Sequence, residues 1–221
     1  MTDAPRAEQG RPLLISDCDE VILHFIPHFA EWLKEAAGLH FEIDAPSFGG
    51  ALTDAEGRTV PQERMWSLLD LFFEREMHRQ DIVPGALDAL RAIESKADIV
   101  ILTNIGDAYQ ANRVAQLEAF DIRHRVLCNQ GGKGRPVKEL IEELRPSVAL
   151  FVDDLPVHHE SVAKHAPEVW RLHMVAEPRL AKRWPPSPFA HARIDDWATA
   201  LPWIEERLAG EPAPVKREEV S

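Results

Sequence analysis

Short runs of uninterrupted apolar residues, each stopping at a polar or acidic residue, constrain this chain more than any other feature. Leu13-Leu14-Ile15, Ile99-Val100-Ile101-Leu102 and Val148-Ala149-Leu150-Phe151-Val152 show no alternation of apolar and polar positions. A strand with one wet face alternates, whereas a strand covered on both faces does not. Strands are therefore expected at 12–16, 98–102, 125–128, 148–152 and 169–175, with a last short one at 192–194. Between them the apolar period becomes helical. Leu87, Leu90 and Ile93 follow Pro84-Gly85; Val137, Leu140, Ile141 and Leu144 make an i, i+3, i+4, i+7 stripe; a closing helix runs through Trp203 and Leu208. Strands that alternate with helices pair in parallel. The fold class is α/β, an open parallel sheet covered on both faces, with functional groups gathered at the carboxyl ends of its strands.

Residues 24–80 break the alternation. One helix carries Phe25, Phe29, Trp32 and Ala36, and a second carries Met65, Leu68, Leu69, Phe72 and Met77. Between them, residues 51–60 could form a hairpin around Glu56-Gly57. Aromatic stripes at helical spacing are ordinarily packing surfaces, so 24–80 is expected to be an inserted, mainly helical module whose helices pack on each other. The core is then 11–23 together with 81–208. The polar, Pro-containing ends, 1–10 and 209–221, are expected to be disordered tails.

A chain of 221 residues with 45% hydrophobic content can bury a substantial core, and its formal net charge of -12 argues against a nucleic-acid backbone as partner. The absence of a bilayer-length apolar stretch, and a polar start without the pattern of a signal peptide, set the expectation of no membrane partner and a cytoplasmic location. Cys18 and Cys128 form neither a disulfide framework nor a zinc spacing, and packing is their expected role. Oligomeric state is not encoded in any of these features.

The polar groups that stop the strands carry the chemistry. Asp17 and Asp19, at i and i+2 on an extended chain, share a face. Two carboxylates so close need a cation or divide into one ionised and one protonated member. Asp is also an ordinary turn former, so the pair alone leaves both readings open. The strand at 98–102 runs into Thr103-Asn104, and that at 148–152 into Asp153-Asp154; between them Lys133 sits in the loop Gly131-Gly132-Lys133-Gly134. This loop is not a phosphate-binding GxxxxGK[ST], and no GxGxxG is present. His158, His159, His165 and His173 complete no metal-ligand spacing; packing or solvent exposure is expected for most, with one available to orient Asp153 or Asp154.

In this order and strand context the residues resemble the haloacid dehalogenase (HAD) superfamily. Asp17-Cys18-Asp19-Glu20-Val21 is similar to its DxDx(T/V) motif, Thr103 to the Ser/Thr of its second motif, Lys133 to its third-motif lysine, and Asp153-Asp154 to its fourth-motif acidic pair. The resemblance spans about residues 13–176. It implies a Rossmann-like parallel sheet with the first strand central and a small, mainly helical cap inserted between the first two motifs, where 24–80 falls. It also implies an enzyme, a magnesium-dependent phosphomonoester hydrolase acting on a small phosphorylated metabolite. Asp17 would be the nucleophile that forms an aspartyl-phosphate, and Asp19 the acid and base. Mg²⁺ would be held by Asp17, by the backbone carbonyl of Asp19 and by Asp154, with Asp153 orienting them and bonded to Lys133. Thr103, the backbone near Asn104 and Lys133 would hold the phosphate oxygens.

Lys133 departs from the family pattern, in which proline follows the lysine, because Gly134 stands there and the proline comes at Pro136; Lys138 is the alternative. Substrate choice would lie in the cap, where His24, His28, Trp32, Phe48 and Arg64 are candidates by position. A phosphotransferase or mutase would keep the same motifs, and a dehalogenase would use the same nucleophile without needing Asp19. A non-catalytic binding module would keep the fold and use the cap as its interaction surface.

Overall fold

A computed structural model describes residues 10–43, 45 and 48–215. The chain opens with β1 (Leu13–Ser16) and enters the inserted module, made of α1 (Ile26–Ala37), β2 (His40–Phe41), β3 (Leu52–Thr53) and α2 (Gln62–Arg75). It returns through α3 (Ala86–Glu94), β4 (Asp98–Thr103), α4 (Gln110–Ala119), β5 (Arg125–Cys128) and α5 (Gly134–Leu144). The remainder is β6 (Ala149–Asp153), α6 (Pro156–His165), β7 (Trp170–His173), α7 (Pro178–Arg183), β8 (Ala192–Arg193) and α8 (Trp197–Leu208).

Six strands form one sheet in the order β5-β4-β1-β6-β7-β8, every neighbouring pair parallel. The apolar runs dictate this arrangement. Leu14, Ile99, Ile101, Leu150 and Val152 bury into a cluster with Trp197 on one face, while Leu13, Ile15, Val100, Leu102 and Phe151 bury into a second cluster with Val137 and Leu140 on the other. Strands β4 and β6 flank β1, so the chain leaves β1 toward one side of the sheet and later returns to the other. Such a switch point opens a crevice at the carboxyl ends of the strands, where Asp17 stands.

A third cluster belongs mostly to the inserted module. Phe25, Phe29, Trp32, Met65, Leu68 and Phe72 are its buried members, joined from the sheet side by Ile105, Val175 and Leu180. Phe29 and Phe72 meet edge to face at 5.4 Å, a favoured geometry for aromatic rings. The expected hairpin is changed in its pairing. Gly57 takes a left-handed turn (φ 77), and Asp54 Oδ1 accepts from the N–H groups of Glu56 and Arg58. The returning arm, however, makes only a bridge of Thr59 to Thr53, and β3 pairs antiparallel with β2 instead. Phe41 draws β2 in, with its ring 6.0 Å from Phe29 and 5.4 Å from Phe48.

Part of the expected C-terminal tail is docked. Trp170 Nε1–H donates to the Glu211 carbonyl, Ala213 N–H donates to the Glu168 carbonyl, and the Ala213 side chain is buried. Backbone partners outweigh the polar composition there. At the other end Gly10 bridges to Pro146; the rest of both expected tails, 1–9 and 216–221, lies outside the described residues. No helix among the described residues is long and apolar enough to cross a membrane. Cys18 is buried in the sheet core and Cys128 packs partly against the third cluster.

Candidate active site

Asp17 continues β1 by one residue, its N–H donating to the Val152 carbonyl. The chain then turns sharply. The Cys18 carbonyl accepts from the N–H groups of Ile22 and Leu23, and Glu20 adopts a left-handed backbone (φ 58), a conformation costly for a residue other than glycine. The Glu20 carboxylate recovers part of that cost as an N-terminal cap: its Oε1 accepts from the N–H groups of Phe25 and Ile26 at the start of α1.

Lys133, fully buried just ahead of α5, places its Nζ 2.8 Å from Asp17 Oδ1 and 2.7 Å from Asp153 Oδ2. The other Asp153 oxygen accepts from the Leu155 N–H. Gly134 makes this position of Lys133 possible: a Cβ there would lie 2.1 Å from the Ser161 carbonyl oxygen, so α5 begins in backbone contact with α6. The glycine that replaces the expected proline thus has a packing reason. Lys138 lies exposed, 3.9 Å from Glu142.

Carboxylate oxygens of Asp17, Asp153 and Asp154 lie within 4.8 Å of one another, and all three residues are buried. One ammonium stands against three carboxylates and pairs with two of them, Asp17 and Asp153. Burial pushes Asp17 up to about 7 against the pull of Lys133, with Asp153 and Asp19 adding to the rise. Asp154 is raised well above the ordinary carboxylate range by burial and by Asp153, Asp17 and Glu20. Burial acts upward on Asp153 as the largest single influence, but Lys133, His158 and His159 together leave that group below its ordinary value. The uncompensated charge therefore sits on Asp17 and Asp154. An all-oxygen donor set short of positive charge fits a hard divalent cation, and Asp17 and Asp154 are the residues placed to hold it.

Two buried histidines fix the turn that presents Asp153 and Asp154. Ser187 N–H donates to His173 Nδ1, so Nε2 carries the proton and donates to the Asp154 carbonyl at 2.8 Å. His159 Nε2–H donates to the Asp153 carbonyl at 3.0 Å, and burial lowers this imidazole to about 4. Both orient the acidic pair as neutral rings. His158 instead reaches the site wall, where Asn104 Nδ2–H donates to its Nε2 at 3.2 Å.

Asp17, Asp19 and Asp154 open onto a cavity of about 480 Å³ between the sheet end and the inserted module. No protein-family model matches this sequence, and no curated protein matches it. Solved structures do match, over most of their length and of this chain. The candidate HAD-hydrolase YfnB of Bacillus subtilis, determined with magnesium bound, superposes with a TM-score of 0.62 at 16% identity, covering 89% of this chain and 99% of its own. A candidate β-phosphoglucomutase from Thermotoga maritima gives 0.60 at 16% identity, with 88% and 99% covered. A HAD-superfamily hydrolase of subfamily IA from Geobacter sulfurreducens gives 0.57 at 16%, with 87% and 99% covered. The chain has the HAD-like fold.

Within the HAD-like core, the remaining candidates divide. Asn104 lines the cavity, its side chain tied to Gly131 and Asn129. Thr103 is fully buried and directs its hydroxyl at Asp19 Oδ2, 3.5 Å away. Of the five cap candidates for substrate binding, His24, His28 and Arg64 lie elsewhere. His24 and His28 both point to Asp81 Oδ1, at 3.1 and 2.6 Å, and Arg64 is exposed on α2. A carboxylate at the module's exit attracts the two imidazoles away from the cavity. Trp32 is buried in the module, and Phe48 does stand on the cavity wall.

Sequence reasoning missed Arg113. This fully buried residue of α4 pairs with Asp19, and Gln80 Nε2–H donates to the same carboxylate at 2.7 Å. The available signal was helical spacing. Arg113 and Gln116 fall on the same face of α4 as Leu117, so a charge and an amide face inward with an apolar residue.

Proposed function

We propose that this protein is a magnesium-dependent phosphomonoester hydrolase that works through an aspartyl-phosphate on Asp17. The observation that carries this reading is the meeting of Asp17, Asp153 and Asp154 within 4.8 Å, with Lys133 between the first two, at the floor of a cavity that Asp19 also lines. Phosphoryl transfer asks a protein mainly for a placed nucleophile and for positive charge around the transferring group. Asp17 Oδ1 is held by Lys133 and by the Cys18 N–H, leaving Oδ2 to attack.

In the first step Asp17 forms the O–P bond while the bond from phosphorus to the substrate alcohol breaks, and Asp19 gives the leaving oxygen its proton. In the second, Asp19 takes a proton from the water that attacks phosphorus, and the Asp17 carboxylate is regenerated as inorganic phosphate departs. A magnesium ion held by Asp17 and Asp154, and by the Asp19 backbone carbonyl, would neutralise charge on the phosphoryl group. Lys133 opposes the burial that raises Asp17 and holds Asp153 in place. The magnesium present in the YfnB structure supports the choice of ion. The inserted module would act as the cap over a small phosphorylated substrate, excluding bulk water from the first step.

The test is turnover by purified protein. Release of inorganic phosphate from simple phosphomonoesters should require added Mg²⁺ and stop on chelation; activity indifferent to chelation would overturn the metal-dependent reading.

A further inference from the structure

The cavity above the acidic cluster has an aromatic wall, an acidic set and a few neutral polar side chains, Asn104, Asn129, Gln130 and His158. Phe25, Phe48, Trp66, Leu69, Phe73 and Trp184 form its walls. Four of these make a continuous row of rings: Trp66 stacks on Phe48 at 5.9 Å, Phe48 meets Phe25 at 6.4 Å, and Phe25 stacks on Phe73 at 5.6 Å. The charged residues of the lining, Asp17, Asp19, Glu20, Asp70 and Asp154, are all acids, with no Lys or Arg among the described lining residues. Lys133 is committed to Asp17 and Asp153 beneath the floor. Glu20 has its Oε1 spent on the start of α1, and its Oε2 is buried without a partner.

We propose that the alcohol released by this enzyme is aromatic or otherwise apolar and carries no anionic group of its own, an inference that rests on the phosphatase reading above. A substrate's reacting phosphate finds the proposed cation at the floor, with Lys133 buried beneath it against Asp17 and Asp153. A second phosphate or a carboxylate would find no counter-charge and several carboxylates, an arrangement that rejects it. Along the row of rings a polyhydroxylated alcohol would exchange water for ring faces that accept no conventional hydrogen bond. A planar apolar group replaces water on those faces at no such cost, and 480 Å³ is within the range of small-molecule sites. Trp66 illustrates the point: it is 43% exposed although it stacks on Phe48 and forms part of the wall. An apolar ligand would cover it.

The experiment compares esters whose leaving alcohols have similar basicity, so that binding and not intrinsic reactivity is read. With Mg²⁺ present, kcat/KM for 3-phenylpropyl phosphate should exceed that for glycerol 3-phosphate at least tenfold and that for fructose 1,6-bisphosphate at least a hundredfold. Trp66→Ala should raise KM for 3-phenylpropyl phosphate about tenfold and narrow its advantage over glycerol 3-phosphate by the same factor, with an unchanged melting temperature. Equal or higher kcat/KM for the glycerol ester or the bisphosphate overturns this inference and leaves the phosphatase reading standing. Preference for phosphoethanolamine overturns it in favour of a cationic group recognised by the lining acids. Failure to hydrolyse any of the four esters overturns the phosphatase reading itself.

Discussion

Arg113 grips Asp19 from inside the core, its Nη2 lying 2.9 Å from Oδ1 and 2.8 Å from Oδ2. The same guanidinium lies 5.7 Å from the centre of the Phe73 ring on α2 and reaches Gln116 Oε1 at 3.1 Å. Gln116 in turn donates to the Met77 carbonyl, and Gln80 donates to Asp19. The carboxylate proposed to handle protons is thus tied to the segment through which the inserted module returns to the sheet. Arg113→Lys keeps a positive charge but loses the planar group that holds Asp19 through Nη2 and Gln116 through Nη1 at once. Its kcat should fall about tenfold to a hundredfold with little change in KM, given the cost of misplacing a reacting group. Steady-state kinetics beside a melting curve would check this; unaltered kcat in a folded variant would remove Arg113 from the reaction.

Asp17→Asn should abolish turnover, leaving less than about a thousandth of the rate, because a neutral amide cannot make the phosphoryl bond. The fold should survive, since the substitution also removes charge from a crowded acidic site. Single-turnover phosphate release and circular dichroism together decide the point. A folded variant with a tenth of the parent rate would place the nucleophile elsewhere.

The two acids after β6 should respond differently. Asp154→Asn is expected to raise the Mg²⁺ concentration for half-maximal activity at least tenfold while costing little stability, as Asp154 is an uncompensated charge. Asp153→Asn takes from fully buried Lys133 one of its two carboxylates and should cost about 3–5 kcal/mol. Denaturant unfolding and Mg²⁺ titration of both variants would reveal the contrast, and identical behaviour would contradict the division of labour.

Stability and magnesium should be linked through pH. Asp17 has its folded value raised from 3.8 to about 7, so between those values the native chain holds more protons than the unfolded one. On that account ion-free protein loses stability as pH rises through this window. Bound Mg²⁺ displaces the proton and cancels the loss, so its effect should grow with pH. At an ion concentration about a hundred times Kd the gain is about 2.7 kcal/mol, or roughly 5–10 °C in Tm. That gain is expected at pH 8 and less than half of it at pH 5. Equal shifts at the two pH values in thermal unfolding would argue against Asp17 as a ligand.

Gly134→Ala should destabilise the protein by about 1–3 kcal/mol through overpacking, because the new methyl would have to displace Ser161 backbone. Equilibrium unfolding reads the loss, and a neutral result would mean that α5 and α6 separate freely. Since Lys133 immediately precedes the glycine, kcat should fall as well.

What the sequence determined by itself was the sheet and the positions at its carboxyl edge. Unbroken apolar runs can only be buried on both faces, and parallel strands then deliver whatever follows them to one edge. Asp17, Asn104, Asp153 and Asp154 are legible in this way because each sits within two residues of a strand end. Lys133 is legible only through its resemblance to a motif, and the contact of α5 with α6 explains its unusual glycine neighbour. Tertiary structure decided the rest. Arg113 and Gln80 meet Asp19 across 94 and 61 residues of chain, and His24 and His28 turn to Asp81 and not to the cavity. No local period encodes such pairings. Buried charge is satisfied by whichever partner the packed helices bring within reach, and that choice exists only once the sheet and the inserted module have closed on each other.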